Sequence, residues 1–64
     1  MTITDRIIRV LRIAPSTDVS DLAAIMGESP RAIQDALHDL DERGLVRLHE
    51  VSGAYSITDK GGAL

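Results

Sequence analysis

The clearest pattern in the chain is an apolar stripe at helical spacing in the middle of the sequence. Its apolar positions recur every three or four residues and so share one face of a helix: Ile33, Ala36, Leu37 and Leu40. Ser29 is suited to cap the first turn, Pro30 fits the first helical position, and Gly44 suits a left-handed residue after the end. The pattern therefore predicts a helix over residues 29–43 whose opposite face is polar and exposed.

Two shorter apolar patterns precede this helix. The first predicts a helix that Thr2 or Thr4 caps and that ends at Pro15. Its core-facing arc comprises Ile3, Ile7, Val10, Leu11 and Ala14. The second predicts a short helix that Ser20 caps and Gly27 ends, with the apolar positions Leu22, Ala23, Ile25 and Met26. Because only Glu28 and Ser29 separate this helix from the next one, the two helices are predicted to form a helix-turn-helix.

After Gly44 the apolar spacing shortens from about 3.6 residues to about two. The alternating positions are Val46, Arg47, Leu48 and His49, and then Tyr55, Ser56, Ile57 and Thr58. They predict two short antiparallel strands joined by a turn at Ser52 and Gly53. Residues 16–18 are predicted to form a polar turn and residues 61–64 a flexible tail. The order of elements predicts an α+β, mostly α fold, a winged helix-turn-helix, with residues 1–60 as a single domain.

Composition narrows the range of functions. The 64 residues leave room for one small core, and the lack of cysteine excludes disulfides and cysteine-based zinc sites. A formal net charge of −3 is the wrong sign for a protein that binds phosphates through bulk charge. The longest unbroken apolar run, residues 22–26, is far too short to span a bilayer, so we expect a cytoplasmic protein without membrane contact.

The segment VSDLAAIMGESPRAIQDALHDLDERGLVRL has a capped short helix, a glycine turn and a helix that ends in the pattern L-x-x-x-G-L-V. It resembles the helix-turn-helix of bacterial winged-helix regulators of the MarR, PadR and ArsR kinds. The later stretch AYSITDKG is similar to the strand that closes the wing in those proteins, with its Y-x-L-T-x-x-G pattern. The resemblance implies a small sequence-specific DNA-binding protein, a transcriptional regulator of a bacterium or phage, whose third helix enters the major groove of double-stranded DNA while the hairpin wing lies on the backbone.

The resemblance also implies which residues contact DNA. The positions that would face bases are Arg31, Gln34, Asp35 and His38. Arginine can bond guanine, glutamine can bond adenine, and aspartate can accept from cytosine. The expected phosphate contacts are Ser29 at the helix N-terminus, Arg47 and His49 on the wing, and Lys60 after it. Asp35 also has the spacing to pair with Arg31, which would reduce the availability of that arginine.

Acidic residues keep a second function open. The C-terminal half of the third helix carries Asp39, Asp41 and Glu42, and the wing tip carries Glu50. These acidic groups would repel the phosphates of DNA. The alternative is a winged-helix protein–protein interaction module that does not bind DNA.

The first helix offers candidate contacts for a partner protein or a homodimer. Ile8 and Ile13 lie at the edges of its apolar arc, although they can instead pack under neighbouring loops. Arg6, Arg9 and Arg12 form a basic stripe on its far side, expected to be solvated or to contact phosphates.

The remaining patterns do not indicate a catalytic or metal site. Asp39, Asp41, Gly44 and Glu50 have spacings of a calcium loop, but Arg43 occupies a ligand position, and a helical Asp39–Arg43 ion pair is the simpler interpretation. The two histidines stand alone on different elements, and no serine has a nearby histidine and aspartate to activate it. We expect no enzyme activity, no metal, no cofactor and no small-molecule ligand.

Overall fold

A computed structural model describes residues 2–14 and 16–62. Its elements are α1 (Ile3–Ile13), β1 (Thr17–Asp18), α2 (Val19–Met26), α3 (Pro30–Glu42), β2 (Val46–His49), β3 (Ala54–Ile57) and the single turn α4 (Asp59–Gly62). Three helices followed by an antiparallel hairpin confirm the predicted α+β winged helix-turn-helix. Pro15, the predicted end of α1, and residues 63 and 64 of the predicted tail lie outside the described residues.

Side-chain caps fix where α1 and α2 begin. Of the two predicted caps of α1, Thr2 is the one used: the Asp5 N–H donates to Thr2 Oγ1 at 3.2 Å, and the Thr2 N–H donates to Asp5 Oδ2 at 3.4 Å. The prediction that Ser20 caps α2 is wrong. Asp18 is the cap, since its Oδ1 accepts from the Asp21 N–H at 2.8 Å, and α2 therefore begins earlier than the apolar pattern suggests.

The core lies between the three longer helices and the hairpin. Its fully buried large side chains are Ile7, Leu11, Leu22, Ile33, Leu37, Leu40 and Val46. Ile8, placed at an edge of the apolar arc as either a packed residue or a partner contact, is only 7% exposed, because α1 packs against both α3 and the hairpin and so buries a wide arc. Ile13 is 82% exposed. Ile25, predicted among the core positions of α2, is 60% exposed, because this short helix turns a single stripe toward the core.

The sheet has the strand order β1-β3-β2 and is antiparallel throughout. β1 replaces part of the predicted polar turn: Thr17 pairs with Tyr55, and Asp18 pairs with Ala54. Thr17 is buried, and its Oγ1 donates to the Ala14 carbonyl at 2.7 Å. Two residues are too few for an alternating pattern, so nothing local in the sequence indicates this strand.

Backbone and side-chain bonds tie the hairpin to the end of α3. The chain leaves the helix through Gly44, whose φ of +74° is a conformation that glycine adopts without strain. Thr58, just after β3, donates from Oγ1 to the Gly44 carbonyl at 2.6 Å and from its N–H to the Leu45 carbonyl at 3.0 Å. These bonds hold both ends of the hairpin against the C-terminus of α3.

Among residues 2–14 and 16–62, no helix combines the length and the apolar character that crossing a bilayer requires.

Candidate nucleic-acid interface

The polar face of α3 is exposed along its length. The four residues predicted to face bases are all exposed: Arg31, Gln34, Asp35 and His38. At 3.6 residues per turn they occupy a single arc of the helix, opposite the four buried apolar positions. Packing of the apolar stripe therefore fixes the direction in which this polar arc points. The observed helix, with Ser29 and Arg43 as its caps, lies within the predicted span.

The N-terminus of α3 is closed by Ser29. Its Oγ accepts from the Ala32 N–H at 3.2 Å, and its carbonyl accepts from the Ile33 N–H at 3.1 Å. Pro30 has no N–H, and helix geometry gives the Arg31 N–H no partner within the helix. The Ser29 hydroxyl proton and the Arg31 N–H can therefore still be donated to a phosphate at this end of the helix.

An ion pair reduces the effective negative charge of the C-terminal half of α3, and a second contact joins His38 to Glu42. Arg43 Nη2 lies 2.9 Å from Asp39 Oδ2, which confirms the predicted pair, and His38 Nε2 lies 3.1 Å from Glu42 Oε1. The second pair draws the His38 ring toward the C-terminal end of the helix. The effective negative charge of this half is therefore lower than its three acidic residues suggest, because Arg43 neutralises Asp39.

Arg31 has no such restraint. Its side chain is exposed, and within the described part of the chain no ion pair joins it to Asp35, so the pairing that their spacing allows is not formed. The guanidinium group keeps its five N–H donors for a ligand.

The outer face of the hairpin carries the wing residues that were predicted to contact phosphates. In the β2–β3 register Arg47 lies opposite Ser56, so the two share a face, and His49 lies on that same face because strand side chains alternate. His49 Nε2 and Ser56 Oγ are 2.7 Å apart, which orients the imidazole across the hairpin. Lys60 is exposed on α4, beyond the end of β3. The structure thus places Arg47 and His49 together and Lys60 on a separate element.

The other face of the hairpin packs on the helices. Val46 is buried, and Tyr55 and Ile57 are partly buried against the core. Leu48, predicted to face the same way, is 40% exposed because it lies nearer the hairpin tip. At the tip itself Val51 projects fully into solvent beside Glu50, so the turn presents an apolar and an acidic side chain and no cation.

Arg6 does not belong to a solvated stripe. Its Nη2 donates to the Met26 carbonyl at 3.0 Å, and its Nη1 donates to Glu28 Oε1 at 3.4 Å. Sequence reasoning missed this contact because the partners lie 20 and 22 residues away on another element. The other two arginines of α1, Arg9 and Arg12, are exposed.

The residues with calcium-loop spacing at the acidic end of α3 belong to a helix. Asp39, the first residue of the calcium-like spacing, is paired with Arg43, and α3 continues through Asp41 instead of opening into a loop. No group of three or more potential metal ligands converges within residues 2–14 and 16–62.

No protein-family model matches the chain, and neither a curated protein nor a solved structure shows significant similarity to it. What the exposed face of α3 and the wing can bind is therefore inferred from their residues and geometry.

Proposed function

We propose that this protein is a small sequence-specific DNA-binding protein, a transcriptional regulator that acts in the cytoplasm of a bacterial cell. α3 would lie in the major groove, with the hairpin as a wing against the backbone. The observation that supports the proposal most directly is the single exposed arc of Arg31, Gln34 and Asp35 on a helix whose direction the core fixes. The major groove of B-DNA is wide enough to admit such a helix.

The side chains on this arc suit base edges. Arg31 can donate two parallel bonds to guanine O6 and N7, and Gln34 can bond adenine N6 and N7. Asp35 can accept from cytosine N4, and its lack of an ion pair with Arg31 leaves both groups available. His38 contributes less, since it already contacts Glu42.

Phosphate contacts would come from a few groups. Ser29 and the Arg31 N–H lie at the positive end of the α3 dipole, while Arg47 and His49 share the outer face of the hairpin. With a formal net charge of −3, this set gives a monomer low affinity. A homodimer, which doubles the contacts on one duplex, is therefore part of the proposal.

Replacement of Arg31 tests whether this residue contacts a base of the target DNA. A target is first selected from a random-sequence duplex library, and the affinity of Arg31→Ala for that target is then compared with the affinity of the parent protein. We expect a loss of about 1–3 kcal/mol and relaxed preference at one base pair, since a guanine contact disappears. Arg9→Ala is the matched control, because it removes the same charge from an exposed position on α1. Equal affinity of Arg31→Ala and the parent protein for the selected target would overturn the assignment.

A second candidate function is docking on another protein. It is favoured by the exposure of Ile13 at the end of α1 and by Asp41 on α3, an exposed acid that forms no ion pair among residues 2–14 and 16–62. The response to salt separates the two functions. Binding through phosphates weakens steeply as salt rises, because counterions are released, whereas an apolar contact at Ile13 is nearly insensitive to salt.

A further inference from the structure

Arg6 links α1 to the turn between α2 and α3. Its guanidinium group donates to the Met26 carbonyl at 3.0 Å and to Glu28 Oε1 at 3.4 Å. The side chains of Arg6 and Glu28 are 40% and 37% exposed, so the contact is partly shielded from solvent. One residue of the first helix thus holds two points of the helix-turn-helix that lie two residues apart.

The Met26 carbonyl is one of the groups that the end of a helix leaves without a partner. Met26 is the last residue of α2, and the N–H groups of Gly27 and Glu28 both donate to the Ala23 carbonyl instead. A guanidinium group suits this position, because it supplies a donor to the carbonyl and a positive charge to the negative end of the helix dipole. Arg6 therefore completes the C-terminus of α2 from outside that helix.

The turn that Arg6 holds leads directly into the end of α3 proposed to meet DNA. Glu28 immediately precedes Ser29, the cap of α3, and Arg31 lies in the first turn that follows. With three residues between α2 and α3, a displacement of Glu28 has little chain in which to be absorbed.

We infer that Arg6 is a positioning residue for DNA binding: by holding Met26 and Glu28, it sets where Ser29 and Arg31 lie relative to α1, without itself touching DNA. This inference rests on the proposed function. It differs from a phosphate contact by Arg6, because the effect is exerted through two acceptors within the protein, the Met26 carbonyl and Glu28 Oε1. It also differs from simple stabilisation, because the effect is on the position of the first turn of α3.

The planar guanidinium group of arginine can reach both acceptors, the Met26 carbonyl and Glu28 Oε1, at the same time. The two contacts are made by Nη1 and Nη2, which are held at a fixed separation, whereas lysine has a single nitrogen and cannot span both acceptors in the same way. Arg6→Lys keeps the charge and is expected to recover part of the effect. Arg6→Ala removes both contacts.

The test measures the affinity of the folded protein for a short random-sequence duplex over a series of salt concentrations. Arg6→Ala is expected to bind about threefold to tenfold more weakly, with an unchanged slope of log affinity against log salt, because Arg6 itself contacts no phosphate and the displaced Ser29 hydroxyl and Arg31 N–H are uncharged. Without DNA, its amide shifts relative to the parent protein should concentrate at residues 27–31. Arg9→Ala, with the same loss of charge on the same helix, should leave those shifts unchanged.

The outcomes separate the inference from the function on which it rests. A salt slope reduced by about one in Arg6→Ala would show a direct phosphate contact and overturn the positioning role. Unchanged affinity of Arg6→Ala would also overturn it while leaving DNA binding intact. A parent protein that fails to bind the duplex at low salt would overturn the proposed function, and the DNA role of Arg6 with it. If Arg6→Ala does not fold, Arg6→Lys is tested in the same way.

Discussion

Arginine and aspartate lie four residues apart at two places along α3 and its C-cap, and one of these two pairs forms an ion pair. Asp39 and Arg43 are 2.9 Å apart, whereas Arg31 and Asp35 are not paired. An acid placed before a base at this spacing complements the helix dipole, which favours the Asp39–Arg43 pair, although His38 and Glu42 are in contact in the reverse order. The helix thereby neutralises an acid in its C-terminal half and leaves Arg31 available in its N-terminal half.

The burial of single isoleucines determines what a partner could contact. Ile8 is within the core and Ile13 is largely exposed. Ile8→Asp would bury a charge without a partner, and we expect it to unfold this small domain, while Ile13→Asp should change the free energy of unfolding by less than about 0.5 kcal/mol. Urea denaturation followed by circular dichroism measures both variants. A stable, folded Ile8→Asp protein would contradict the packing described for α1.

Size-exclusion chromatography of Ile13→Asp adds a test of self-association. If the exposed end of α1 forms a homodimer, the variant elutes as a monomer at concentrations where the parent protein does not. Equal elution of the two proteins would remove Ile13 from the interface.

At the scale of elements, caps decide where helices begin. Asp18 accepts from the Asp21 N–H, while Ser20 lies inside α2 and is exposed. Asp18→Ala should lower the free energy of unfolding by about 0.5–2 kcal/mol, because the first turn of α2 loses its acceptor, and Ser20→Ala should be close to neutral. Thermal and urea denaturation of the two variants check this. A larger loss in Ser20→Ala than in Asp18→Ala would show that α2 begins at the later residue.

Local sequence signals account for most elements and fail where distant residues decide the structure. α3 was predictable because a cap, a proline at the first position and a regular apolar stripe agree over one continuous stretch. β1 carries no such signal, since Thr17 and Asp18 become a strand by pairing with β3. Spacing along α2 cannot reveal that Ile25 faces solvent, because that depends on how many neighbours the helix has.

The same limit applies to the candidate site. The exposed arc of α3 follows from helical periodicity, so its residues were predictable from the sequence. The contact of Arg6 with Met26 and Glu28 was not, because it joins residues from separate elements and leaves no pattern in either. Side-chain pairs along α3 lie between these cases. Spacing indicates which pairs are possible, but it does not indicate that Asp39–Arg43 and His38–Glu42 are in contact while Arg31–Asp35 is not.

At the scale of the whole molecule, the net charge disfavours DNA binding, whereas the local charge at the first turns of α3 and on the hairpin favours it. The chain carries a formal net charge of −3, yet the first turns of α3 present Arg31 and a helix N-terminus, and the hairpin presents Arg47. Such a protein is expected to bind random DNA weakly and with clear salt dependence, so that base contacts contribute a large share of its preference for a target. Arrangement of charge, rather than its sum, is the basis of the proposed function.

The most direct test of DNA binding is an amide NMR titration of the ¹⁵N-labelled protein with a short random-sequence duplex, at low and then at moderate salt. We predict that amide signals of residues 29–38 and of the wing turn, residues 51–54, shift at low salt and that the shifts fade as salt rises. Chemical shifts that remain unchanged at low salt would contradict the proposal that α3 binds DNA in the major groove and would favour docking on another protein.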